Sequence, residues 1–170
     1  MSNMNWKELV ISVDKTSFQH LLSEWRWLVP QNILPLWLSP FGDWMLRYED
    51  GKIYFLDILD GSISLAAQSE HALNNLLQNE ANQNRWLMSD WVGICRDRKL
   101  LLAQGQCYGW KLAPILGGKF EFQNIQLFDI SVYECIMGQI HRQIKKLPEG
   151  FIITEFKIGS SQPGEAGTKR

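Results

Sequence analysis

The stretch 44–67, WMLRYEDGKIYFLDILDGSISLAA, decides the fold. Residues 44–48 alternate apolar and polar in part, and Glu49-Asp50-Gly51 then supplies a turn. Residues 53–58 are rich in aromatic and branched side chains and read as a second strand. Asp60-Gly61 is another turn, and 63–67 a third strand. Strands this short, joined by D-G turns, leave no room for a crossover helix. The segment is therefore an antiparallel β-meander.

Upstream, Phe18, Leu21, Leu22, Trp25 and Leu28 recur at helical spacing, which predicts a helix over 15–28 that ends before Pro30. Pro30, Pro35 and Pro40 predict a stiff, irregular connector into the meander. Downstream, helices are expected over 69–80 and 85–98, with the Asn-rich run NEANQN breaking them. Gly105 and Gly109 read as loop markers, Gly117-Gly118 as a tight turn, and 120–130 as one or two strands around Asn124. Ser131 and Glu134 fit an S-x-x-E capping box for a last helix, with Val132, Ile136, Ile140 and Ile144 as its stripe. Pro148 and Gly150 stop it, and 151–158 reads as a closing strand.

The expected fold class is α+β: an antiparallel sheet containing the meander, packed against three or four helices. One compact domain is expected over 1–158, with 1–80 and 81–158 as its lobes if it divides, followed by a disordered tail over 159–170. Trp25, Trp86 and Trp91 are expected in the core. Trp37, Trp44 and Trp110 flank Pro or Gly turns and are expected at the surface.

Composition narrows the function classes. The apolar fraction is 45% and the charged fraction 21%, enough for a packed core and too apolar for a disordered chain. With 17 basic and 18 acidic residues, the chain lacks the basic excess of a general nucleic-acid binder. The three cysteines, Cys95, Cys107 and Cys135, form no C-x-x-C pair and leave one over, which points away from a disulfide framework and toward a reducing, cytoplasmic setting. No run approaches the ~20 apolar residues of a membrane span.

Catalytic motifs are absent: there is no H-E-x-x-H, G-x-S-x-G or Walker A pattern. Asp57 and Asp60 at a strand end, with Glu49 and Asp50 in the neighbouring turn, are able to hold a metal or act as acid and base, but D-G turns supply such residues anyway. A small metal-dependent enzyme built around Asp57, Asp60 and His141 is thus one reading. A regulatory or structural interaction domain is another. Charge is polarised along the chain. Residues 41–80 carry seven acidic and two basic groups, and 81–120 carry six basic and two acidic. An acidic lobe speeds encounter with a basic partner. Gly138 inside the last helix needs a close neighbour to justify it, and the polar run Gln139, His141, Arg142, Gln143 beside it is either solvated or a recognition patch.

An ordered set of residues carries a family likeness: Phe41-Gly42-Asp43-Trp44, Gly51-Lys52-Ile53-Tyr54-Phe55-Leu56-Asp57, Gly105-Gln106-Cys107-Tyr108-Gly109-Trp110-Lys111, Leu116-Gly117-Gly118-Lys119, Asn124, and Gly138-Gln139-Ile140-His141-Arg142-Gln143 ending at Leu147-Pro148. This order, over roughly residues 5 to 158, resembles the bacterial immunity proteins that neutralise DNase toxins delivered by type VI secretion. In that family a GAD-like N-terminal half precedes a C-terminal half known as a domain of unknown function. The resemblance implies a non-catalytic cytoplasmic binder without cofactor, metal, membrane or nucleic-acid contact. Its partner would be a cognate toxin, a nuclease. The charge argument and the polar helix face make Trp44, Glu49, Asp50, Asp57, Asp60 and His141 the candidate toxin-binding residues.

Overall fold

The computed structural model describes residues 5–14, 16–148, 153 and 158–159. Four strands, β1 (Ile33–Leu38), β2 (Trp44–Tyr48), β3 (Ile53–Asp57) and β4 (Ser62–Ala67), form one antiparallel sheet in the order β1-β2-β3-β4. The meander is present with the expected turns. The expected connector through Pro35 is instead β1, paired Leu38 to Trp44 and Ile33 to Tyr48. A register shift between Pro35 and Trp37 and the edge position accommodate a residue that cannot donate to a ladder.

Both faces of the sheet are covered over β1–β3, whose strands run apolar almost throughout, while β4 is largely exposed. Trp37, Met45, Ile53, Phe55 and Ala67 join one core with Leu73, Trp86, Leu87 and Val92. Those four come from α2 (Glu70–Leu76), α3 (Glu80–Leu87) and α4 (Ser89–Asp97). Ile33, Leu38, Trp44, Leu46 and Leu56 join the other core. There they meet Phe18 of α1 (Phe18–Leu21), Trp25 of a 3-10 turn (Ser23–Trp25), and Tyr133, Met137 and Ile140 of α5 (Ile130–Ile144). A second, two-stranded sheet pairs β5 (Gln106–Trp110) with β6 (Ile125–Asp129) and is tied to the first where Tyr108 N–H donates to the Pro40 carbonyl (2.8 Å).

Several local expectations are corrected. The helix over 15–28 is one short α-turn followed by a 3-10 turn, although its apolar positions Phe18, Leu22 and Trp25 are buried as the pattern requires. The Asn-rich run does not break a helix. Asn79 caps α3 by accepting from Ala81 N–H (2.9 Å). The break falls at Met88, in the left-handed region (φ 51°), and splits the helix expected over 85–98. Gly109 lies in β5 rather than a loop, because Phe128 and Tyr133 fill the space a side chain would need. Asp129, not Ser131, caps α5, accepting from Ser131 N–H (2.8 Å). Val132 is exposed, and the buried stripe is Ile130, Tyr133, Glu134, Met137, Ile140 and His141. Trp37, Trp44 and Trp110, expected at the surface, are all buried. The strand read over 151–158 lies outside the described residues except Ile153 and Ile158, which are not in a strand, and the tail from residue 160 lies outside them entirely.

Gly138 has the close neighbour it needed. A Cβ there would stand 2.6 Å from Glu24 Cβ and 3.1 Å from the Glu24 carbonyl carbon, so the 3-10 turn rests directly on α5. Alanine gains about 1 kcal/mol of helix propensity, but overpacking a rigid contact costs about 1–3 kcal/mol. Gly138→Ala is therefore expected to lower the thermal midpoint by a few degrees, measured by circular dichroism; a midpoint above the parent's would show that the Glu24 turn yields freely.

Candidate functional site

Seating α5 against the sheet draws a set of polar groups out of water. Glu134 is fully buried, and its Oε2 accepts from the Trp25 indole N–H (3.0 Å). The Trp44 indole lies near enough to favour the ionised carboxylate, yet neither its Nε1 nor Glu134 Oε1 reaches hydrogen-bond geometry. Asp43 sits at the start of β2, 5% exposed. Its Oδ2 accepts from Ser39 Oγ (2.9 Å) and its Oδ1 from Ile58 N–H (3.1 Å). Ser39 Oγ in turn accepts from the Phe41 and Asp43 amides (3.1 and 3.0 Å). This closed ring of bonds locks the β1–β2 turn.

Burial dominates the electrostatics. Loss of water, with Asp57 nearby, pushes the Asp43 carboxyl up to about 7. Glu134 is pushed well above the carboxylate range by its burial and further by Asp43. The Cys107 and Tyr133 side chains are likewise driven upward by burial. His141, 5% exposed, is held below its ordinary value by burial, against the opposing pull of the Ile58 and Leu59 backbone and of Asp57 and Asp60. Its ring lies 5.7 Å from that of Trp25. Asp43, Cys107, Tyr133, Glu134 and His141 are buried, and none of them lines the open groove of about 600 Å³ described next.

That groove lies at the N-terminal end of α5, between Ile11, Val13, Leu38, Leu102 and Ile130. Its carboxylates, Asp14 and Asp129, are committed to local turns through Thr16 and Ser131, and those hydrogen bonds hold both below the usual range. Among the described residues no three His, Cys, Asp or Glu side chains are grouped to hold a metal ion. The metal-centre reading of Asp57, Asp60 and His141 therefore has no geometric support.

The six candidate contact residues do not share one face. Glu49 and Asp50 are exposed at the β2–β3 turn, where Asp50 bonds Lys52 Nζ (2.8 Å). Asp57 and Asp60 stand at the opposite end of the hairpin, about 17 Å away by the rise of a five-residue strand. Asp60 is exposed; Asp57 is half-buried and accepts from the Leu59 and Asp60 amides (both 2.9 Å). Trp44 and His141 lie inside, so the expectation of Trp44 at the surface is corrected. The polar run on α5 is partly internal: Gln139 and His141 are buried and Gln143 is half-buried. Arg142 is exposed but pairs with Glu24 (3.1 Å). Gln139 is buried, donating to the Gly159 carbonyl (2.8 Å) and accepting from its N–H (3.0 Å).

Sequence reasoning missed Asp43, Ser39 and Glu134 as partners. Glu134 falls on the 130, 133, 137, 140 spacing that is the real inner stripe, and that was the available signal.

The described residues thus build a sheet packed between two cores, with Asp43, Glu134 and His141 buried beside it. Residues 67–141 match the family model described as T6SS immunity protein Tdi1, C-terminal, which bears out the resemblance to a type VI secretion immunity family. The match starts at the last residue of β4 and does not extend to the N-terminal part, for which the resemblance implied a GAD-like half. No curated protein matches the chain. No helix among the described residues is long and apolar enough to cross a membrane.

The raised carboxyls make stability pH-dependent. In the folded chain Asp43 and Glu134 keep protons that the unfolded chain has lost, so the unfolded state binds fewer protons and stability falls as pH rises. For Asp43 this window runs from the ordinary aspartate range to about 7. His141 acts oppositely. It stays neutral where the unfolded chain takes up a proton, so stability falls again as pH drops below the ordinary histidine range. Glu134→Gln keeps an acceptor for Trp25, and urea denaturation from pH 5 to 8 is expected to show a shallower decline than the parent. An identical slope would mean that Glu134 ionises in the folded chain as it does in water.

Proposed function

We propose that this chain is an immunity protein that binds a cognate type VI secretion toxin, a DNase effector, in the cytoplasm, and silences it by stoichiometric occupation rather than turnover. The family match over 67–141 carries the reading. The burial of Asp43, Glu134 and His141 supports it, since these groups serve packing beneath the surface rather than lining the open groove. Free cysteines, with Cys95 and Cys107 buried, suit a reducing compartment.

On this reading Trp44 and His141 hold the framework beneath the contact surface. Of the acidic candidates, Glu49, Asp50 and Asp60 are exposed. They stand at two ends of one hairpin, so a single acidic face does not account for the contact.

Co-expression with the toxin gene product encoded alongside is expected to give a complex that co-purifies and degrades no DNA, while the toxin alone degrades it. A toxin that remains fully active and unbound in the presence of this chain would overturn the proposal.

A further inference from the structure

We infer that the β5–β6 loop, residues 111–124, is the docking epitope for the toxin, and that it fits an apolar cleft rimmed by carboxylates. This rests on the immunity reading and deepens it. The loop is the densest display of exposed apolar side chains in the described chain. Leu112 is 48% exposed, Ile115 45% and Phe120 56%. Water-facing apolar groups gathered on one loop mark a binding surface rather than a packing accident.

The loop is also rigid before any partner arrives. Asn124 clasps both of its arms. Its Oδ1 accepts from Leu112 N–H (3.0 Å), and its Nδ2 donates to the Leu112 and Lys119 carbonyls (both 2.9 Å). Within this clasp Pro114–Leu116 forms a 3-10 turn, and Gly118 leaves no room for a side chain against the Leu112 carbonyl. Phe120 stands edge-on to the buried Trp110 (centroids 5.0 Å apart), which itself meets Trp91 edge-on (5.5 Å). An aromatic anchor held by a buried aromatic behind it loses little freedom on binding.

The charge around these side chains selects the partner. Lys111 and Lys119 on the loop are exposed, and Arg98 stacks over Phe122 of the same loop (4.7 Å). Glu121 is the one acidic residue between 111 and 124. A basic fringe around an apolar tip matches a cleft whose rim carries carboxylates, the groups by which hydrolytic nucleases commonly hold divalent cations. The whole loop lies within the matched stretch 67–141.

The test is binding of the full chain to the toxin encoded alongside it, followed by biolayer interferometry, with circular dichroism confirming that each variant folds. Leu112→Ser/Phe120→Ala is expected to raise Kd about 30-fold or more, the scale of a lost hot spot. Lys119→Glu, at an exposed side chain, is expected to slow association several-fold at low salt, with the gap closing at high salt. Glu49→Lys/Asp50→Lys at the hairpin tip is expected to leave Kd within threefold. Folded loop variants that bind like the parent, or a tip variant that alone loses binding, would overturn this inference and leave the immunity reading intact. A parent chain that does not bind would overturn both.

Discussion

The burial of Glu134 between Trp25 and Trp44 is the constraint on which the rest of the structure depends. A carboxyl removed from water costs several kcal/mol unless it is neutralised or bonded. Here one oxygen accepts a hydrogen bond from the Trp25 indole N–H, and burial pushes the carboxyl well above its ordinary range. Meeting that bond brings the 3-10 turn of residues 23–25 onto α5, and Gly138 exists to let it approach. With α5 fixed, Tyr133 reaches over Gly109 and accepts from Trp110 N–H (3.1 Å), which sets β5 against the helix. From β5 onward the loop of residues 111–124 is placed. One buried carboxyl thus links the N-terminal segment, the meander and the loop that carries the proposed contact.

What the sequence displayed openly was local. The meander was legible because D-G turns and β-rich runs lie within a few residues of each other. The missed elements depend on distant neighbours. Pro35 argued against β1, yet an edge strand with a register shift tolerates it. Gly105 and Gly109 hid β5, because the reason for Gly109 is a tyrosine 24 positions later. The break at Met88 is a left-handed residue with no glycine or proline to announce it. Trp37, Trp44 and Trp110 looked peripheral beside their turns, and only the second layer on each sheet face covers them.

The site followed the same rule. Acidic residues clustered in sequence over 41–80, but a hairpin sends them to two ends, and burial takes Asp43 out of play as a surface charge. His141 looked like a reactive group and is a wedge between Trp25 and the β3–β4 turn. Gln139 and Arg142, read as solvated or recognising, instead hold the Gly159 backbone and Glu24. What remains exposed and rigid is the Asn124-clasped loop, and its side chains are apolar and basic. The family match points to an immunity protein, and the proposed contact lies on this loop rather than on the acidic set.

The central claim, inhibition by occupation without turnover, is tested most directly by titrating the purified chain into a fixed amount of active toxin and following DNA cleavage. The account expects activity to fall linearly and vanish at one chain per toxin, and to return when the complex is dissociated. Loss of activity at a small fraction of a molar equivalent, or loss that survives dissociation, would contradict it and mark the chain as an enzyme acting on the toxin.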